Sequence, residues 1–181
     1  MTVLRADAQR NLDRILEAAS DAYAEVGPDV TTDEIARRAG VGHGTVFRRF
    51  PTKDALRAAV IRVRLEDLLT RAHELLDNPN AGAALEEFVW AAAEAFRRDR
   101  ALFEGIERCE GFAEVSDAKQ ELHHTVGKLI RRAQRAGALR RGLDSHDVGA
   151  LVAAAIQASM HADRGDAWRR YVRVVLNGLR P

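Results

Sequence analysis

Residues 31–50, TTDEIARRAGVGHGTVFRRF, have room for two short helices and nothing longer. Gly40-Val41-Gly42 interrupts the helical pattern in the middle and Pro51 ends it. Glycine frees the backbone for left-handed conformations, and proline disfavours helix in the residue before it. The first short helix opens on a capping-box pattern, in which Thr31 would cap and Glu34 would reach back to the cap's own N–H. Val30 and Ile35 stand where a hydrophobic staple would join them. This helix can run to about Ala39, and the second from about His43 to Arg49. Thr52 can cap a longer helix whose first turn holds Asp54, well placed against the helix dipole. Two short helices joined by a glycine turn make a helix-turn-helix. Ala36 is small where the helices must cross, Gly40 can supply a positive φ, and Val41 and Val46 can fill the space between. Ile35 and Phe50 can anchor the pair to the preceding helix.

That preceding helix carries Leu12, Ile15, Leu16, Ala19, Ala22, Tyr23 and Val26 at helical spacing and stops at Gly27-Pro28. An arm ahead of it holds Arg5 and Arg10. Beyond the helix-turn-helix the periodicity predicts further helices over about 55–76, 83–98, 100–109, 117–136, 145–162 and 166–179. With 46% hydrophobic residues and 4 Pro, and with glycine and proline concentrated at punctuation points, the chain reads as all-α. We expect a three-helix domain carrying the helix-turn-helix over residues 1–54 and a larger helical domain over 55–181.

Charge is distributed unevenly. The whole chain has a formal net charge of +1. From Ile35 to Arg62, Arg37, Arg38, Arg48, Arg49, Lys53, Arg57 and Arg62 oppose only Asp54, a net of +6. From Asp7 to Glu34 the balance is −6. Such local polarity suits a face meant for an anionic partner, although a solvated helix surface would show it too. No apolar run approaches the roughly 20 residues of a membrane span, and the N-terminus lacks a signal peptide's apolar core. Cys109 is the only cysteine, so no disulfide forms within the chain, which fits a reducing cytosol. A cytoplasmic protein without cofactor is expected. No phosphate loop, nucleophile elbow or metal motif speaks for an enzyme. A metal- or thiol-responsive sensor using His123 and His124, or Cys109, stays open as the alternative. Adjacent histidines point in different directions on a helix, however, and the cysteine is alone.

The stretch from Thr31 to Leu56 resembles the DNA-binding module of the TetR family of bacterial regulators. The resemblance rests on Thr32, Ile35-Ala36, Ala39-Gly40-Val41, Gly44-Thr45, an aromatic at Phe47, Phe50, Lys53 and Leu56. Gly42 stands where the family most often has serine, which weakens the cap of the second short helix. Phe47 replaces a usual tyrosine and Arg49 a frequent histidine. With this helix in the major groove, the resemblance implies that His43 reaches a base and that Gly44 admits close approach. Thr45 can meet a phosphate or a thymine methyl, and Phe47 the methyl; Arg48 and Arg49 can read guanine or clamp phosphate. Lys53 resembles the family's phosphate-binding lysine, and Thr32 should touch phosphate.

The stretch VGALVAAAIQASM, residues 148–160, is apolar over most of its circumference, which asks for burial on most sides. Homodimerisation would supply it, and the resemblance implies a four-helix interface from the last two helices. The candidate contacts are Leu151, Val152, Ala155, Ile156, Trp168, Val172, Val175 and Leu176. A two-fold dimer predicts a palindromic double-stranded operator. The resemblance further implies repression and a small-molecule effector pocket among the middle helices. Its candidate lining is Leu69, Phe88, Phe96, Phe103, Cys109, Phe112, His123, Val126 and Ile130, with residues 110–116 as a mobile gate.

Overall fold

The computed structural model describes residues 2–99, 111–160, 162 and 165–181, with side chains from residue 7 onward. Among the described residues there are eight helices and no strand. They are α1 (Thr2–Val26), α2 (Thr32–Ala39), α3 (His43–Arg49), α4 (Lys53–Leu76), α5 (Ala81–Arg98), α6 (Ala113–Arg135), α7 (Ser145–Ser159) and α8 (Ala167–Leu179). The helix expected over 100–109 lies outside the described residues. Two compact units form, one from residues up to Arg64 with Asp99–Asp117, the other from Leu65–Arg98 and Ala118–Pro181. They part after Arg64, inside α4, where the sequence placed a boundary at 54/55. The reason is that α4 is one continuous helix: Leu56, Val60 and Ile61 are buried in the first unit, Leu68, Ala72 and Leu75 in the core of the second.

α1 begins at Thr2, so the residues expected as an arm are helical backbone. Nothing before Gly27 breaks a run of good helix formers, and Arg10 pairs along the helix with Asp7. α1 ends at Gly27, whose φ is +90°, and α6 is stopped by Gly137 at +69°. Within the segment expected as a gate, α6 opens at Ala113, and Val115 is buried. Phe112 provides the carbonyl that receives the Val115 and Ser116 N–H groups, so the helix simply starts earlier than Asp117.

In the second unit, α5, α6, α7 and α8 enclose one apolar core with the later turns of α4. Caps missed from the sequence fix two starts. Asn80 Oδ1 accepts from Ala83 N–H at 3.0 Å at the head of α5. Asp144 accepts from the His146 and Asp147 N–H groups while Asp147 Oδ2 accepts from Asp144 N–H, a complete capping box for α7. The end of α4 is closed from outside. Arg132 of α6 donates to the carbonyls of Leu76 and Asn78, both at 2.6 Å, and of Leu75 at 3.3 Å. Helix C-termini leave such carbonyls without intrahelical partners.

In the first unit, Ile15, Ala19, Ala22 and Tyr23 of α1 are buried, as are Val30, Ile35, Ala36, Ala39, Val46 and Phe50. The turn between α2 and α3 depends on Gly40, at φ +62°, ψ +37°, whose N–H returns to the carbonyls of Ala36 and Arg37. Any Cβ there is strained by the left-handed backbone, which costs about 1–2 kcal/mol. Gly40→Ala is therefore expected to lower the thermal unfolding midpoint, and Gly44→Ala, with open space around its Cα, to leave it nearly unchanged.

Candidate nucleic-acid interface

The frame that presents α3 is tied to α1 at two points. Arg14 donates from Nη2 to the carbonyl of Gly40 at 3.2 Å, and Arg38 donates to Glu25 at 2.6 Å. α2 is capped as expected on one side: Thr31 Oγ1 accepts from Glu34 N–H at 3.2 Å. The other half of the expected capping box is absent. The Glu34 carboxylate turns along its own helix to Arg37 (2.7 and 2.9 Å) and Arg38 (2.8 Å). Two guanidiniums offer charge-assisted bonds that a lone backbone N–H cannot match. Hydrogen bonds from Arg37 and then Arg38 hold the Glu34 carboxyl down to about 2.

α3 starts at Gly42, which supplies no side-chain cap, as its replacement of serine implied. Val46 is the buried residue of this seven-residue helix, and all the others but Thr45 are exposed. His43, Gly44, Phe47, Arg48, Arg49 and the adjoining Lys53 are exposed, whereas Thr45 and Thr32 are half-buried. Phe47 leaves 54% of its surface open, which is unusual for a phenylalanine unless something covers it. Its ring lies nearly parallel to that of His43, with centroids 6.2 Å apart, and His43 Nδ1 pairs with Asp33 of α2. Arg48 Nε donates back to the Gly44 carbonyl at 3.1 Å, a bond that does not use its two terminal nitrogens. One feature was missed from the sequence: α1 extends alongside α3, and an open groove of about 510 Å³ is lined by Gln9 and Asn11 together with Thr45, Arg48 and Arg49. The signal was the helical spacing of Leu12 and Ile15, which carries α1 on toward its N-terminus, where Asn11 and Leu12 are half-buried and Ala8 is exposed.

Not all of the +6 is available on this face. Arg57 is buried, with its guanidinium carbon 5.4 Å from the centre of the Tyr23 ring. Arg37 and Arg38 serve Glu34 and Glu25. Arg48, Arg49 and Lys53 are the exposed cations on α3 and the start of α4.

The residues expected at a dimer contact separate into two sets. Val152, Ala155, Ile156, Trp168, Val172 and Leu176 are buried in the protomer's own core, because α7 packs against α8 and α5. Trp168 meets Trp90 edge to face at 6.0 Å and lies under Arg97 and Arg169. Val175 is half-buried and Leu151 is 41% exposed. The outward faces of the two helices carry Leu151, Ala154, Ala158 and Val174, the last 65% exposed.

Among the residues expected to line an effector pocket, Phe88, Val126 and Ile130 belong to the second unit's core, with Phe96 packed against it. Leu69 is half-buried in that unit, and Phe112 is half-buried in the first. Phe103 and Cys109 lie outside the described residues. His123 stacks flat on His146 at 4.0 Å; burial, then His146 and Lys119, push its pKa down against Asp144. His124 is exposed. Flat stacking turns ring faces, not nitrogen lone pairs, toward each other, and no group of three metal-ligating side chains converges among the described residues.

A short glycine-capped helix with an exposed cationic and aromatic face, held on a buried two-helix frame, defines a helix-turn-helix DNA-binding regulator. Comparison with known proteins makes this specific. Residues 15–60 match the model of bacterial regulatory proteins of the tetR family, and residues 80–181 match that of the SbtR-like transcriptional regulator C-terminal domain. The chain belongs to the TetR family. The crystal structure of a TetR transcription regulatory protein from Mycobacterium vanbaalenii is 38% identical, with a TM-score of 0.68 over 98% of this chain and 99% of that one. An uncharacterised HTH-type transcriptional regulator of Mycobacterium tuberculosis is 29% identical over 82% of this chain and 79% of its own length. An HTH-type transcriptional repressor of the same species is 54% identical over 48 residues, 26% of each chain.

The Glu34 pairing has a pH signature. Its folded-state pKa lies below the ordinary value of 4.5, so its contribution to stability is present above that value and is lost as pH falls toward about 2. Glu34→Gln should unfold at a lower temperature than the wild type at pH 6, and the gap should narrow by pH 2.5. A constant gap would assign the effect to something other than ionisation.

Proposed function

We propose that the chain is a transcriptional repressor that binds a palindromic operator as a homodimer and is released by a small molecule. The observation that carries the reading is the exposed face of α3, which bears Phe47, Arg48 and Arg49, with Lys53 exposed at the start of α4. In this reading His43 meets a base edge, and Arg48 or Arg49 reads guanine in the major groove. Phe47 or Thr45 covers a thymine methyl, and Lys53 and Thr32 contact phosphates that set the register. The exposed apolar faces of α7 and α8 support pairing through Leu151, Ala154, Ala158 and Val174. Membership of the family supports a small-molecule effector, which in this reading sits in the second unit beside Leu69, Phe88, Phe96, Val126 and Ile130.

Selection of bound duplexes from a random pool should enrich an inverted repeat. Arg48→Ala should cost about 1–3 kcal/mol at one base position per half-site and relax selectivity there. Lys53→Ala should weaken all duplexes alike and reduce the salt slope by about 1. Enrichment of no repeat, together with indifference to both substitutions, would sink the reading.

Dimerisation is tested apart from folding. Val174→Glu should shift the sedimenting species toward monomer and weaken operator binding while helical content stays unchanged. Trp168→Ala should instead destabilise the protomer by about 3–5 kcal/mol, seen in denaturant unfolding. A Val174→Glu protein that sediments as the wild type does would move the interface elsewhere.

A further inference from the structure

His43 is held from two directions. Its ring lies against Phe47 one turn along α3, with planes 16° apart. From α2, Asp33 sets a carboxylate oxygen against Nδ1. Both side chains remain open, 57% for His43 and 77% for Asp33, so the pair sits at the surface that α3 offers. A carboxylate oxygen carries only lone pairs, so the ring nitrogen facing it must bear the proton. In the neutral imidazole the other nitrogen, Nε2, is then a bare acceptor. Nε2 is also the ring's remaining polar atom once Nδ1 is engaged.

We propose that Asp33 is a positioning residue for base reading, fixing the proton of His43 on Nδ1 so that Nε2 enters the major groove as an acceptor. An acceptor selects an exocyclic amino group, adenine N6 or cytosine N4, and rejects the keto oxygens of guanine and thymine. The arrangement assigns chemistry to one base position in each half-site, and it rests on the reading that His43 meets a base. Without the carboxylate, either tautomer is open to the imidazole, and the same side chain accepts from amino bases or donates to keto bases. Asp33 also stands in the first turn of α2, where any carboxylate complements the helix dipole. That role predicts a change in stability and none in base preference.

The experiment uses the full chain and the duplex enriched from the random pool, with each half-site position varied through four bases in competition binding. The wild type should prefer adenine or cytosine by about three- to tenfold at one position, the range of a single hydrogen bond. His43→Ala should flatten that position. Asp33→Ala should flatten the same position with His43 still present, and Asp33→Glu should restore the preference. If His43→Ala flattens it and Asp33→Ala does not, His43 reads the base unaided and the proposal fails alone. If His43→Ala changes no position, the base contact itself fails. A uniform loss across all duplexes in Asp33→Ala, with a lowered unfolding midpoint, would leave only the first-turn role. A wild-type preference for guanine or thymine would overturn the proposal outright.

Discussion

Gly40 carries the backbone through a left-handed conformation between α2 and α3, and its carbonyl receives a hydrogen bond from Arg14 of α1. The direction of α3 depends on this junction. α3 has seven residues, one buried side chain and no side-chain cap, far below the length at which a helix holds itself together in water. Its order comes from outside: from Val46 in the core, from the left-handed turn and from a long α1 that braces the turn. A short helix supported this way can give nearly all of its surface to a partner.

The same economy governs charge. A run of seven cations reads as one basic face, yet the fold divides it. Arg37 and Arg38 neutralise Glu34 and Glu25 and so bind α2 to itself and to α1. Arg57 goes inside, under the ring of Tyr23. What remains exposed on α3 and the start of α4 is Arg48, Arg49 and Lys53 together with Phe47, a short set of cationic and aromatic groups of the kind that serves phosphates and base edges.

Much of this was legible in the sequence. The all-helical class, the two short helices, the turn at Gly40 and the cap at Thr31 follow from punctuation and spacing, which are local properties, and the family from the resemblance of one motif. The misses share a different cause. Glu34 had a backbone partner available in the pattern, but charged partners on its own helix win that competition. The start of α6 was placed late because Phe112 and Val115 are held by helical hydrogen bonds and burial that no capping residue announces. The dimer residues were drawn from the most apolar face of α7 and α8. The protomer fills its own core from that face first, and the surface left over is marked by smaller and sparser apolar groups such as Ala154 and Val174. A sequence ranks residues by how much they prefer burial, not by which neighbour buries them.

Arg132 gives the second unit a mechanical property. One guanidinium on α6 receives the last carbonyls of α4 and that of Asn78 beyond it. A slide of α6 by a single residue would strand three oxygens at once, in a half-buried place where water replaces them poorly. The final turn of α4 and the body of α6 thus behave as one stiff lever. Displacement of either is shared by both, and adjustment within the unit falls to the contacts that α5, α7 and α8 make with this pair.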